Sequence, residues 1–238
     1  MRWIAKLDPG ACSRDSAKET GGPVWRDFQL GFLTVLCACS LLLNAGLVLN
    51  NIFPSTWREW TLGRLHPPPM QVSDHVRGDP KASVIVIEYA DFQCPYCQQM
   101  HATLLSAAEA GKIKWVFRND PLQAIHPLAA EEAEAAECAG EQGKFWAYAD
   151  SLFAAQRQIR TSAEPDHELV ALAQGANADP NNLQACLDSR RYAEAVRSAV
   201  REAESLQISG TPTIFVNEVR HEGSMSYEDL NALTSRAR

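Results

Sequence analysis

A chain of 238 residues that is 46% hydrophobic and 21% charged has a globular composition with a slight apolar excess, and room for one domain of about 150 residues with additions. A domain of that size buries enough surface to fold without a metal or a disulfide, unlike the small cysteine- or zinc-dependent modules. The formal net charge of −7 repels phosphate backbones and argues against nucleic acid as a partner.

Residues 1–28 read as an N-terminal tail. No charged residue occurs between Asp27 and Arg58, and within that window Leu30 to Leu49 is almost wholly apolar. A helix of that length crosses a hydrocarbon core of ~30 Å. Trp25, Phe53, Trp57 and Trp60 flank it as interfacial aromatics do. Residues 29–53 are therefore expected to form a single transmembrane anchor helix. Two other readings stand beside it. A buried core helix normally keeps a polar face, which this stretch lacks. A cleaved signal has an apolar core of roughly 7–15 residues with a small-x-small site behind it; Leu36-Cys37-Ala38-Cys39 loosely resembles a lipoprotein cleavage box but falls in mid-stretch. Arg14, Lys18 and Arg26 before the stretch slightly outweigh Arg58 and Arg64 after it, which favours an N-terminus in the cytosol. Residues 54–75, with Pro67-Pro68-Pro69, read as a stiff extended spacer. Gly78-Asp79-Pro80 reads as a turn opening a folded domain over 76–238.

Ser83 to Tyr89 is short and rich in β-branched residues, as a buried central strand is. Cys94-Pro95-Tyr96-Cys97 follows, and from Gln98 the residues Met100, Leu104, Leu105 and Ala108 recur at helical spacing up to Gly111. The dithiol therefore lies at a strand-to-helix junction. Unpaired N–H groups and the dipole at a helix N-terminus favour a thiolate, so the Cys94 pKa is expected within ~3.5–7.5. Pro95 suits a first helical turn, where its missing N–H costs nothing. Cys97 stands close enough to close a short disulfide ring and is expected to be the less exposed partner. A Cys-x-x-Cys is also half of a zinc site, but no second pair stands at matching spacing, since Cys138 and Cys186 are solitary in helical sequence. The four cysteines beyond the apolar stretch fit two disulfides in an oxidising compartment. Glu88 lies inside the apolar strand behind Val84, Ile85, Val86 and Ile87. Burial there would raise its pKa; a solvent-facing edge position is the alternative.

Ile113 to Phe117 reads as the next strand, ended by Asn119-Asp120-Pro121. From His126-Pro127 the chain reads as helical through about Ala155. Further helices are expected near Asp166–Ala173, from Asp179-Pro180 to Cys186, and over Arg191–Leu206. Phe145, Trp146, Tyr148 and Phe153 suit core packing. Asp91 and His126 have bland default roles, as a turn residue and a helix-start residue. Ser226 to Ser235 reads as a C-terminal helix.

Two separated segments, VIVIEYADFQCPYC over Val84 to Cys97 and SGTPTIFVN over Ser209 to Asn217, resemble the DsbA-like branch of the thioredoxin superfamily. The likeness runs from about Val76 to the C-terminus. It implies an α/β thioredoxin-like fold with a helical insertion at about 123–207. It also implies a cis bond before Pro212 that faces the dithiol, and a substrate chain held by Thr211 and Pro212 with Pro95 and Tyr96 beside it. Glu88 would be the buried acid that passes a proton to or from Cys97. Cys138 and Cys186 would form a structural disulfide, two buried free thiols being the alternative. At Glu218 the chain departs from the branch, which usually has a hairpin glycine there, so a longer turn is expected before the last strand.

The implied activity is thiol–disulfide exchange that donates disulfides to secreted or periplasmic proteins. It implies no cofactor or resident metal, a monomer, and reoxidation by a membrane redox partner. The setting would be the bacterial inner membrane, with the catalytic domain outside the cytoplasm. A reductase or isomerase of the same fold remains open, since Tyr96 offers only a hydroxyl where a histidine would stabilise a thiolate by charge. A copper-handling assembly factor also remains open, with Met100 and His101 beside the dithiol as soft-metal ligands.

Overall fold

The computed structural model describes residues 66–236. The tail, the anchor expected at 29–53 and most of the spacer lie outside the described residues. Among those described, no helix is long and apolar enough to cross a membrane.

Five strands among the described residues form one sheet, in the order β1-β3-β2-β4-β5. They are β1 (His75–Gly78), β2 (Ile85–Ala90), β3 (Lys114–Asn119), β4 (Thr213–Val216) and β5 (Val219–Glu222). β2 and β3 run parallel, which demands a crossover; helix α1 (Pro95–Glu109) supplies it. β1, β4 and β5 join antiparallel. Between β3 and β4 the chain inserts α2 (Ala129–Glu141), α3 (Phe145–Thr161), α4 (Pro165–Gly175), α5 (Pro180–Asp188) and α6 (Ala193–Ser205), and it ends with α7 (Tyr227–Arg236). This is the thioredoxin-like α/β arrangement with a helical insertion.

β2 is apolar on both sides because it is buried on both. Val86 and Ala90 join Trp115, Phe117, Ile214, Met100 and Leu104 in the larger core. Ile87 and Tyr89 join Val116, Phe215, Ala203 and Leu206 in the smaller one. Residues on a strand alternate sides, so Glu88, between Val86 and Ala90, projects into the larger core together with Cys97.

Three local expectations are corrected. The described residues 66–75, expected to belong to the spacer, are part of the folded unit, and they are fastened to the sheet. Arg118 pairs with Asp74 at 3.0 Å and donates to the Pro69 carbonyl at 3.3 Å, and the His66 ring lies 3.1 Å from the Glu218 carbonyl. β1 carried no apolar run because it is a short edge strand. It ends on Gly78 at φ +102, where a Cβ would stand 2.3 Å from the Ile113 carbonyl oxygen. The long helix expected from His126 is two helices, because Gly143 turns left-handed at φ +70. Its N–H and that of Lys144 close back on the Gly140 and Ala139 carbonyls, as at a left-handed helix end. The turn before β5 is not lengthened. Val216 pairs with Val219, leaving Asn217 and Glu218 as a two-residue turn at φ +44 and +73, positive at both positions as in a type I′ turn.

Candidate active site

Cys94 is the N-cap of α1, with extended backbone at φ −76 and ψ 121, and Pro95 fills the first helical position. The first turn of α1 carries no acidic residue, so no fixed negative charge there opposes a thiolate. Cys94 and Cys97 are free thiols, 4% and 0% exposed. Cys94 thus keeps what little access there is, and the two residues after it, Pro95 and Tyr96, are exposed.

The two thiols are unlike. The Cys94 pKa is pulled from 9.0 down to about 6, chiefly by the hydrogen bond from the Cys97 thiol and with help from backbone N–H groups of Cys97 and Tyr96, against the opposing effect of burial. Cys97 is pushed well above its ordinary value, first by burial and then by Cys94. Its sulfur accepts from the Asp91 N–H at 3.5 Å.

The cis peptide Thr211–Pro212 brings the start of β4 against the dithiol, where the Cys94 Sγ donates to the Thr211 carbonyl at 3.3 Å. The loop is tightened by the Thr213 hydroxyl on the Gly210 carbonyl at 2.7 Å and by the Gly223 N–H on the Pro212 carbonyl at 2.8 Å. Glu88 is fully buried and its pKa is raised to about 8, mainly by desolvation; the Trp115 hydrogen bond lowers it and the Cys94 charge adds to the rise. Cys94, Cys97, Glu88, Thr211 and Pro212 thus meet at one end of the sheet, from three separate segments.

Cys138 and Cys186 lie away from this centre, bridged between α2 and α5 with Cα atoms 5.9 Å apart. His101 pairs with Asp150 at 2.8 Å and Met100 is fully buried in the core. Among the described residues no group of three or more His, Cys, Asp or Glu is placed to hold a metal ion.

Several residues around the dithiol had no distinct signal in the sequence. Asp91 does form the expected turn, its Oδ1 accepting from the Gln93 N–H at 2.7 Å. Its Oδ2 also accepts from the Leu122 N–H at 2.7 Å and pairs with His126 at 2.8 Å. Gln93 bridges to Glu132 Oε1 and takes the Leu128 N–H. Gln156 donates to the Phe92 and Cys94 carbonyls at 2.7 and 3.0 Å. The helical insertion therefore holds the loop before Cys94 through side-chain bonds to its backbone. Gln156 was detectable in principle, as a polar residue on the buried stripe of Tyr148, Leu152, Phe153 and Ile159.

A family model described as thioredoxin matches residues 70–235. Over 165 residues the chain is 40% identical to Na(+)/H(+) antiporter NhaA 1 of Salinispora arenicola, covering 69% of this chain and 24% of that protein. The chain spans about a quarter of the length of the first curated relatives it matches. Among solved structures it is similar in fold to BdbD from Bacillus subtilis, with a TM-score of 0.64 at 22% identity, over 72% of this chain and 96% of that one. It is likewise similar to a thioredoxin-like oxidoreductase from Silicibacter pomeroyi, with a TM-score of 0.60 at 24% identity, over 71% and 94% of the two chains.

Proposed function

The chain belongs to the thioredoxin family, and on that premise we propose that it is a thiol–disulfide oxidoreductase donating its Cys94–Cys97 disulfide to secreted or periplasmic proteins. The observation that carries this reading is the contrast between the two thiols at the start of α1. One is stabilised as a thiolate near pH 6 and the other is buried and held protonated. A sulfur with a low pKa is a good leaving group, and a reduced form stabilised in that way makes its disulfide oxidising.

In the oxidised enzyme a substrate thiolate attacks Cys94 Sγ. A new S–S bond joins substrate to Cys94, the internal S–S bond breaks, and its electron pair leaves on Cys97. A second substrate thiolate then attacks the substrate sulfur of the mixed disulfide and expels the Cys94 thiolate. The substrate has lost two electrons and the enzyme holds them as its reduced pair, with Cys94 as the thiolate and Cys97 taking up a proton. The half-buried Thr211, held in place by the buried Pro212, would receive the substrate chain together with the exposed Pro95 and Tyr96 of the dithiol motif. A membrane-bound dithiol oxidase would restore the disulfide. We place the domain outside the cytoplasm, tethered to the bacterial inner membrane by the apolar stretch at 29–53. The stretch shared with the antiporters is similar in length to the thioredoxin match, and we read that kinship as one of the thioredoxin domain, not of ion transport.

The test is to equilibrate the full chain in glutathione redox buffers and read the Cys94–Cys97 state by thiol alkylation. The expected outcome is a disulfide reduced easily, at a potential well above the glutathione couple. A disulfide that resists glutathione as thioredoxin's does would replace the donor reading with the reductase one.

A further inference from the structure

Glu88 lies fully buried in β2 with its two carboxyl oxygens in different circumstances. Oε2 accepts from the Trp115 indole N–H at 3.0 Å, while Oε1 is buried with no hydrogen-bond partner among the described residues. An indole N–H donates and never accepts, so the oxygen facing it is best filled by the acceptor side of the carboxyl group. Trp115 cannot easily turn away. It is fully buried, with its ring 5.1 Å from His101 edge-on and 4.5 Å from Trp146. Buried indoles usually find some acceptor, and Trp146 uses the Val76 backbone carbonyl. Trp115 instead donates to the ionisable group beneath the dithiol.

We propose that Trp115 positions Glu88 for proton exchange with Cys97, its indole N–H holding Oε2 so that Oε1 carries the proton; this rests on the disulfide-exchange reading above. When a substrate thiolate opens the Cys94–Cys97 bond, the electron pair of that bond goes to Cys97 Sγ. The Cys97 thiolate, disfavoured by burial, takes the proton from Glu88 Oε1, and the carboxylate left behind is stabilised at Oε2 by the indole N–H. No oxidant beyond the enzyme's own disulfide enters this step. The titratable groups around Glu88 are few. Cys94 and Cys97 act on it from the start of α1. Behind the Trp115 ring stand His101 on α1, Asp150 on α3 and Arg77 on β1, linked to one another by ion pairs. The residues opposite Glu88 on β3 and β4 are the apolar Phe117 and Ile214.

The experiment has two readouts on the full chain. In the wild type, labelled at the indole nitrogens, the Trp115 N–H resonance is expected to titrate with Glu88, and to stop doing so in Glu88→Gln. In Trp115→Phe, which keeps an aromatic ring and removes the donor, the pH profile of thiol–disulfide exchange with glutathione is expected to move up by about one pH unit. That is a roughly tenfold gain in proton affinity, the scale of one hydrogen bond to a charged group. In the Glu88→Gln background the same Trp115→Phe change should leave the profile where it was, whereas a merely structural loss would move both. An indole resonance that ignores pH, or a Trp115→Phe profile that matches wild type, or one shifted equally in both backgrounds, overturns the inference. A wild type that exchanges no disulfide with glutathione overturns the proposed function instead, and takes the proton step with it.

Discussion

Glu88 shows how one side chain sets a pH dependence. Burial raises its pKa from 4.5 to about 8, so the folded chain keeps a proton that the unfolded chain releases near pH 4.5. Stability from this group is full below pH 4.5 and falls as pH rises toward 8. Glu88→Gln is neutral at every pH and can still accept from Trp115. It should match the wild type near pH 4.5 and exceed it by about 4 kcal/mol at pH 8, as read by urea unfolding of the reduced protein at both values. An equal gap at the two pH values would mean that Glu88 is ionised throughout. The strand, the acid within it and the dithiol after it were legible because each is a local pattern. The reach of Asp91 was not: its partners Leu122 and His126 stand 31 and 35 residues away, and no local spacing announces them.

The hairpin between β4 and β5 is the element that sequence reasoning misjudged. Without a glycine the turn was expected to lengthen, yet it stays at two residues because Asn217 is tied to the neighbouring β2. Its side chain accepts the Ile85 N–H at 2.8 Å and its own N–H reaches the Ile85 carbonyl at 2.9 Å. Those sheet bonds fix the register, and Glu218 accepts a left-handed conformation at φ +73 that costs a non-glycine residue ~1–2 kcal/mol. Glu218→Gly removes that cost and adds chain entropy to the unfolded state, for a net gain of about 0.5–1 kcal/mol. The gain should appear as a higher melting temperature. The His66 contact is to the backbone carbonyl and survives the change, so a lower melting temperature would contradict this account of the turn.

Over the whole molecule, the Cys138–Cys186 bridge joins α2 to α5 across 48 residues. A loop of that length is worth ~4 kcal/mol through the unfolded chain, in a chain-entropy model. Replacing both cysteines by alanine should lower stability in denaturant by about that amount. Exchange at Cys94 should persist at temperatures where the variant remains folded; loss of exchange in the folded variant would tie the bridge to the site itself. Local pattern alone determined the central strand, the thiol-bearing helix start, the short strand β3 and the run of helices after it, because apolar periodicity and dihedral preference act over a few residues. Tertiary structure alone decided that β1 completes the sheet edge, that residues 66–74 dock on the domain, and that Trp115 meets Glu88. Those contacts join residues 27 to 152 positions apart, and at such distances packing, not local preference, chooses the partner of each buried polar group.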